Sequence, residues 1–243
     1  MATYVMADVH GLKDKYDELM KVIKDEDTLY VLGDVIDRGP NGISILRDIM
    51  QRKNVKMLMG NHEMMMIEYF YAETHPELEV NLRYLYLDRW CFNGNVSTLR
   101  EYNVLSEDEK EEVMSYLKSL PYAYPNVEVN GRKFYLVHGY YVDGCLDSEV
   151  VDNDYLLEHN MKYEDFVWER VDALSCVDVD RIVVLGHTPT VIVKEGMSPY
   201  EIWFNGDTIE ASNIIDIDCG CAAKNENSRL ALLCLDDLSV QYF

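Results

Sequence analysis

The chain has no Cys-x-x-Cys pair, and its six cysteines are scattered over 243 residues. That excludes zinc-finger spacing and a disulfide framework. Cys219-Gly220-Cys221 sits in an apolar stretch and reads as a pair of buried free thiols. No apolar run approaches the ~20 residues of a membrane span. Met1 to Met6 leads straight into the first polar motif, with no room for a cleavable signal, so a reduced cytoplasmic setting is expected. Positive charge is also scarce. Lys and Arg number 22 against 44 Asp and Glu, for a net charge of -22, which repels nucleic acid and anionic membranes as partners. There is no internal repeat, low-complexity tract or clear linker, so residues 1–243 are expected to form one domain.

What is present begins as an alternation of strands and helices. Tyr4–Ala7, Leu29–Leu32 and Val55–Met59 read as short buried strands. Between them, Leu12, Tyr16, Leu19, Met20 and Ile23 recur at helical spacing, as do Ile43, Leu46, Ile49 and Met50. This βαβαβ start favours parallel pairing. From His62 to about Leu120 the pattern is mostly helical, with a capping box at Ser106 and Glu109 opening an acidic helix that runs to about Ser119. Phe134–Val137, Ile182–Leu185, Glu201–Phe204, Ile214–Ile217 and Leu230–Leu235 are further strand candidates.

Five polar motifs lie along this framework in fixed order. They are Asp8-Val9-His10-Gly11, Gly33-Asp34-Val35-Ile36-Asp37-Arg38-Gly39, Gly60-Asn61-His62-Glu63, His138-Gly139 and Gly186-His187-Thr188. Four of the six histidines fall inside them, while His75 and His159 lie outside. Each motif begins just past the end of a predicted strand, the edge where open α/β sheets bind ligands. Asp8 and His10 flank one residue, so both side chains can grip one cation. Asp34 comes from the neighbouring strand end and can reach the same ion, with a second oxygen left to bridge to another. Asn61, His138 and His187 are neutral ligand types suited to that second ion. The mixed nitrogen and oxygen set fits a borderline first-row divalent metal. Each piece alone has an ordinary structural explanation, and five in order do not.

In order, residue type and spacing the motifs resemble the metallophosphoesterases of the phosphoprotein phosphatase family, and look closest to their short bacterial and phage serine/threonine phosphatases. The resemblance runs from Asp8 to the strand after Cys221. It implies an α/β (α+β) fold, a calcineurin-like β-sandwich of two mixed sheets flanked by helices, with 62–120 as a mostly helical insert. It implies two divalent transition-metal ions, manganese foremost, with iron or zinc also compatible. Asp8, His10 and Asp34 would hold one, and Asp34, Asn61, His138 and His187 the other. His62 would protonate the leaving oxygen, with Asp37 holding its imidazole. Arg38 would clamp phosphate oxygens, and Arg170, in Trp168-Glu169-Arg170, would be the second clamp. Asn93-Gly94-Asn95 faintly resembles a loop near the site in the phage-like members. Tyr140 and Tyr141, just after a ligand, are expected along the pocket.

The expected function is therefore a metal-dependent serine/threonine protein phosphatase, hydrolysing a phosphoester in one step by a hydroxide bridging the two ions. The two ions and two arginines leave the site net positive, and salt screens the distant acidic surface beyond about 8–10 Å. No cysteine here has an arginine six positions later, so no thiolate nucleophile competes. A symmetrical diadenosine tetraphosphate hydrolase carries the same five motifs and is the alternative. Glu63 is the one residue weighed in favour of the phosphatase. A non-catalytic phosphate-binding module is a third reading, and intact His62, Asp37, Arg38 and Arg170 argue against it.

Overall fold

A computed structural model describes residues 1–193, 200–223 and 225–243. The chain opens with β1 (Thr3–Met6), α1 (Lys13–Met20), β2 (Thr28–Val31), α2 (Gly42–Gln51) and β3 (Val55–Met57). Four helices follow without an intervening strand: α3 (Asn61–Thr74), α4 (Val80–Phe92), α5 (Val96–Asn103) and α6 (Glu107–Ser119). The second half carries β4 (Ala123–Val129), β5 (Arg132–Val137), α7 (Asn153–His159), α8 (Tyr163–Val167), β6 (Ile182–Leu185) and α9 (Thr190–Val193). It ends with β7 (Trp203–Phe204), β8 (Ile214–Asp216), β9 (Ala231–Cys234) and β10 (Val240–Tyr242).

The strands form two five-stranded sheets, in the orders β10-β9-β1-β2-β3 and β4-β5-β6-β8-β7. β1, β2 and β3 pair in parallel, as the βαβαβ pattern predicts, while β9 and β10 add antiparallel edges. In the other sheet β5, β6 and β8 are parallel, flanked by antiparallel β4 and β7. Both sheets are thus mixed, and they are flanked by helices.

Alternation along each strand builds two apolar layers. Val5, Tyr30, Phe134, Leu136, Val184, Ile215 and Leu233 pack between the sheets. Their neighbours Met6, Val31, Tyr135, Val137, Val183, Ile214 and Leu232 face the helices, among Tyr16, Leu46, Met65, Trp90 and Phe166. Burial on both faces is why these strands read as continuous apolar runs.

Two strands escape a reading by pattern. β4 holds Pro125 and a register shift between Tyr124 and Val127, which breaks its alternation. β10 is a three-residue edge strand. The candidate Glu201–Phe204 contracts to Trp203–Phe204, and α1 stops before Ile23. The Ser106–Glu109 capping box forms as expected, with Ser106 N donating to Glu109 Oε2 at 2.9 Å and Glu109 N to Ser106 Oγ at 3.3 Å. Among the described residues no helix is long and apolar enough to cross a membrane.

Candidate active site

All five motifs converge at the carboxyl ends of the parallel strands. Asp8 and His10 follow β1, Asp34 follows β2, and Asn61 starts α3 after β3. His138 follows β5 and His187 follows β6. The turns there are tight. Ten non-glycine described residues have left-handed φ, and six of them are Asp8, His10, Asp34, Asp37, Arg38 and His187. Such backbone costs on the order of 1–3 kcal/mol per residue and persists only where the surroundings over-determine it.

Glu63 supplies much of that hold. Its fully buried carboxylate accepts from the amides of Asp34 (2.8 Å), Val35 (2.9 Å), Gly60 (3.1 Å) and Ile36 (3.3 Å). Burial and the neighbouring Asp34 charge push its carboxyl up to about 7, against the pull of those amides. The first two loops are also stitched directly, His10 N donating to Asp34 O (3.0 Å) and Gly11 N to Val35 O (2.7 Å). Gly33 lets the second and third loops touch. Its φ is +95°, and a Cβ there would lie 2.6 Å from the Gly60 Cα.

Three histidines have one ring nitrogen committed to a main-chain carbonyl. His10 Nδ1 donates to Ile36 O (3.0 Å), His138 Nδ1 to Leu32 O (2.6 Å) and His187 Nε2 to Trp168 O (3.3 Å). A carbonyl only accepts, so the lone pair of each neutral ring sits on the other nitrogen. The free nitrogens of His10 and His138 face Asp34: His10 Nε2 is 3.6 Å from Asp34 Oδ2, and His138 Nε2 is 3.3 Å from Asp34 Oδ1. His138 Nε2 is also 3.0 Å from Asn61 Oδ1. Burial keeps all three rings neutral: it lowers the pKa of His10 and His138, and takes His187 down to about 3 with help from His138. Burial opposes the charge of Asp34, but positive charge on the surrounding imidazoles pulls its carboxyl well below the usual range, and His62 is the one ring whose own pKa is raised.

His62 is different. Its Nδ1 lies 2.6 Å from Asp37 Oδ2. Burial alone would lower its pKa, but the Asp34 and Asp37 carboxylates reverse that and raise it. Its Nε2 is 3.2 Å from Arg38 Nη2. A guanidinium only donates, so this contact requires Nε2 unprotonated, and Arg38 must turn away before that nitrogen takes a proton.

His10, Asp34 and His62 offer ligand atoms within 4.8 Å of one another, and so do Asp34, His138 and His187. Asp34 belongs to both groups. The first contains His62 in the place expected for Asp8, whose Oδ2 accepts from His187 N at 3.1 Å. The guanidinium beside His62 Nε2 disfavours a cation there, whereas Asp8 is a buried carboxylate on the cavity wall. The cavity, of about 210 Å³, is lined by Asp8, His10, Asp34, Arg38, Asn61 and His187, and by Arg170, whose Nη1 donates to His187 O at 3.0 Å. Asn93 completes this wall, and Gly94 O accepts from Arg38 N at 3.0 Å. Residues 1–219 match the calcineurin-like phosphoesterase family.

The chain belongs to the calcineurin-like phosphoesterases. It is a phosphoester hydrolase of that family, with a buried His/Asp cluster able to hold metal. It is 28% identical over 142 residues to the symmetrical bis(5'-nucleosyl)-tetraphosphatase of Acidovorax ebreus, across 57% of this chain and 43% of that protein. It is 36% identical over 118 residues to the enzyme of the same name from Salmonella paratyphi B, across 47% of this chain and 42% of that one. The match thus spans less than half the length of either curated relative. Its fold is similar to that of a protein serine/threonine phosphatase from Saccharomyces cerevisiae, at TM-score 0.52 and 12% identity, over 100% of this chain and 79% of that one.

Some site residues carry no warning in the sequence. Asp218, two residues past β8, is buried on the cavity wall, and burial pushes its carboxyl up to about 6. It removes one unit of the positive charge assigned to the site from sequence. Trp168, Pro189 and Ile192 give the phosphoesterase cavity an apolar side. Tyr140 and Tyr141 do not line it: Tyr141 packs edge-on to Tyr135 and donates to Asp143 Oδ1. His75 and His159 stack on Tyr71 and Tyr155, away from the site. The donor set suits two divalent cations. It combines three neutral imidazoles and the Asn61 amide with the carboxylates of Asp8 and Asp34, whose burial uncompensated would cost several kcal/mol.

If Asp34 serves both ions, Asp34→Asn should weaken both by about 10–100-fold or more, whereas His187→Ala should mainly empty one site. Elemental analysis and titration calorimetry read this directly. An Asp34→Asn protein that still holds two ions tightly would contradict it.

Proposed function

We propose that this phosphoesterase hydrolyses dinucleoside polyphosphates, cleaving the central phosphoanhydride of a dinucleoside tetraphosphate to give two nucleoside diphosphates. The observation that carries the substrate class is the sequence similarity to two symmetrical bis(5'-nucleosyl)-tetraphosphatases. The serine/threonine phosphatase expectation rested on the resemblance of the motifs to short bacterial and phage phosphatases, and the one residue weighed for it against the diadenosine enzymes was Glu63. That carboxylate is buried and fully engaged with four backbone amides, so its length answers to the loop it holds and not to the substrate. The cavity supports the same reading. A cavity of about 210 Å³ has room for a phosphoryl group, and Trp168, Pro189 and Ile192 give it apolar surface for a base to pack on.

In this reading Asp8, His10 and Asp34 hold one divalent ion, and Asp34, Asn61, His138 and His187 the other. Bound there, the ions would supply Lewis acidity to the phosphoryl oxygens and acidify the attacking water. Arg38 leaves His62 and, with Arg170, takes phosphoryl oxygens in charge-assisted hydrogen bonds. That exchange frees His62 Nε2 to carry a proton, which the Asp37 carboxylate favours. As water adds to phosphorus and the bond to the leaving oxygen breaks, His62 Nε2 gives that oxygen its proton. Asp37 keeps the opposite nitrogen protonated and the ring turned so that Nε2 faces Arg38 and Asp34.

A substrate panel tests the proposal. Metal-reconstituted protein should turn diadenosine tetraphosphate into two molecules of ADP, with kcat/KM at least about 100-fold above that for a phosphoserine peptide, a gap of about 2.7 kcal/mol. A higher value for the peptide, or ATP and AMP as products, would overturn it.

Acid catalysis by His62 has its own signature. General acids typically contribute ~10²–10⁴-fold, most for poor leaving groups. His62→Asn should therefore keep its metals yet lose far more rate on a phosphoserine peptide than on an aryl phosphate or the tetraphosphate, whose leaving groups are stable anions. The acid must be protonated, and Asp37 favours that form, so wild-type rate on the peptide should fall as pH rises through the pKa of His62. Equal slowing on all three substrates would remove His62 from the role.

A further inference from the structure

Asp37 is fully buried, and its carboxylate is held at more points than its pairing with His62 requires. Oδ2 accepts from His62 Nδ1 and also from the indole Nε1 of Trp90, each at 2.6 Å. Oδ1 accepts from the Thr98 hydroxyl at 2.6 Å, and the same Oγ1 accepts from Asp37 N at 2.9 Å. One hydroxyl thus donates once and accepts once, a closed two-way link that a methyl group cannot make. Asp37 itself sits at φ +71°, in a loop with no regular ladder to fix it.

The donors come from the helices that follow His62 in the chain. Trp90 lies near the end of α4 and Thr98 on α5. Trp90 is wedged edge-on against Tyr69 and Phe70 of α3, at ring-centroid distances of 5.2 and 6.1 Å. His62 is the second residue of that same helix. The path from imidazole to carboxylate therefore closes on itself: His62, along α3 to Tyr69 and Phe70, across to Trp90, and back through Asp37. A buried carboxylate needs hydrogen bonds, but any rotamer with enough donors would satisfy it. Here the donors divide between the two oxygens and come from three directions, which fixes the carboxylate plane and with it the His62 ring, whose Nε2 faces Arg38 and Asp34 of the cavity wall.

We propose that Trp90 and Thr98 are positioning residues of this phosphoesterase. They hold Asp37 so that His62 meets the leaving oxygen, and thereby make α4 and α5 part of the catalytic apparatus. The inference rests on the assignment of His62 as the leaving-group acid. Misplacing a proton donor by a fraction of an ångström hurts the step that uses the proton and leaves substrate binding alone.

The test uses the full chain with manganese, and compares a phosphoserine peptide with para-nitrophenyl phosphate at matched metal content. Thr98→Val keeps the shape and removes the hydroxyl, Thr98→Ser restores it, and Trp90→Phe removes the indole N–H. Thr98→Val should lower kcat on the peptide by about tenfold or more, a fraction of the full general-acid contribution. Its KM should be unchanged, and the aryl phosphate should be affected less than about threefold. Thr98→Ser should return kcat on the peptide to near wild type. Trp90→Phe should show the same bias, and if that core change prevents folding the threonine pair decides alone. Equal loss on both substrates, a change confined to KM, or failure of serine to rescue would overturn the proposal. Its failure is separable from that of the His62 assignment, because His62→Asn alone measures whether a leaving-group bias exists to be lost.

Discussion

The structure is organised around one buried carboxylate, that of Asp34. It stands on a left-handed turn at the end of β2 and faces the free nitrogens of His10 and His138. Its Oδ1 also accepts from the His62 amide at 3.0 Å, which locks the start of α3 to the end of β2. An isolated carboxylate at such depth costs several kcal/mol. The surroundings fix its position, with Glu63 on its amide and glycines where the backbones cross, and among the imidazoles around it only His62 is held toward the cationic form that favours its charge. Two cations straddling it would complete the same electrostatic logic.

That constraint explains a division of labour among chemically identical side chains. His10, His138 and His187 each give one proton to a backbone carbonyl and are held neutral by burial, which is the state a metal ligand needs. His62 gives its proton to Asp37 and is held toward the charged state by two carboxylates. Environment and not residue type separates the three proposed ligands from the proposed acid. The same economy extends outward. The Trp168 carbonyl orients His187, and two residues later Arg170 reaches the His187 carbonyl, so the segment that orients the proposed ligand His187 also carries the proposed phosphate clamp.

Much of this was legible in the sequence, because strand-end loops place catalytic residues close together in the chain. Asp8 and His10, or Asp34, Asp37 and Arg38, have ordinary explanations singly and become legible as parts of five motifs in fixed order, and the three parallel strands beneath them show plain apolar runs. Residues whose role arises only in three dimensions were not legible. Asp218 lies in an apolar stretch with no motif around it. Trp90 and Thr98 fall in the mostly helical stretch with nothing in the sequence to mark them, although both reach Asp37 across more than fifty positions of chain. Tyr140 and Tyr141 show the opposite error, since adjacency to His138 says nothing about which way a loop turns. Glu63 was read as a mark of substrate choice, whereas its carboxylate length matches four backbone amides.

The central claim, that Asp34 is shared by two ions, has a direct measurement. Crystals grown with manganese and measured above and below the manganese absorption edge locate each ion by its anomalous scattering. The account predicts two peaks about 3.5–4 Å apart, one on each side of the Asp34 carboxylate, with Asp8 and His10 at the first and Asn61, His138 and His187 at the second. A single peak, or two ions with Asp34 touching only one of them, would contradict it.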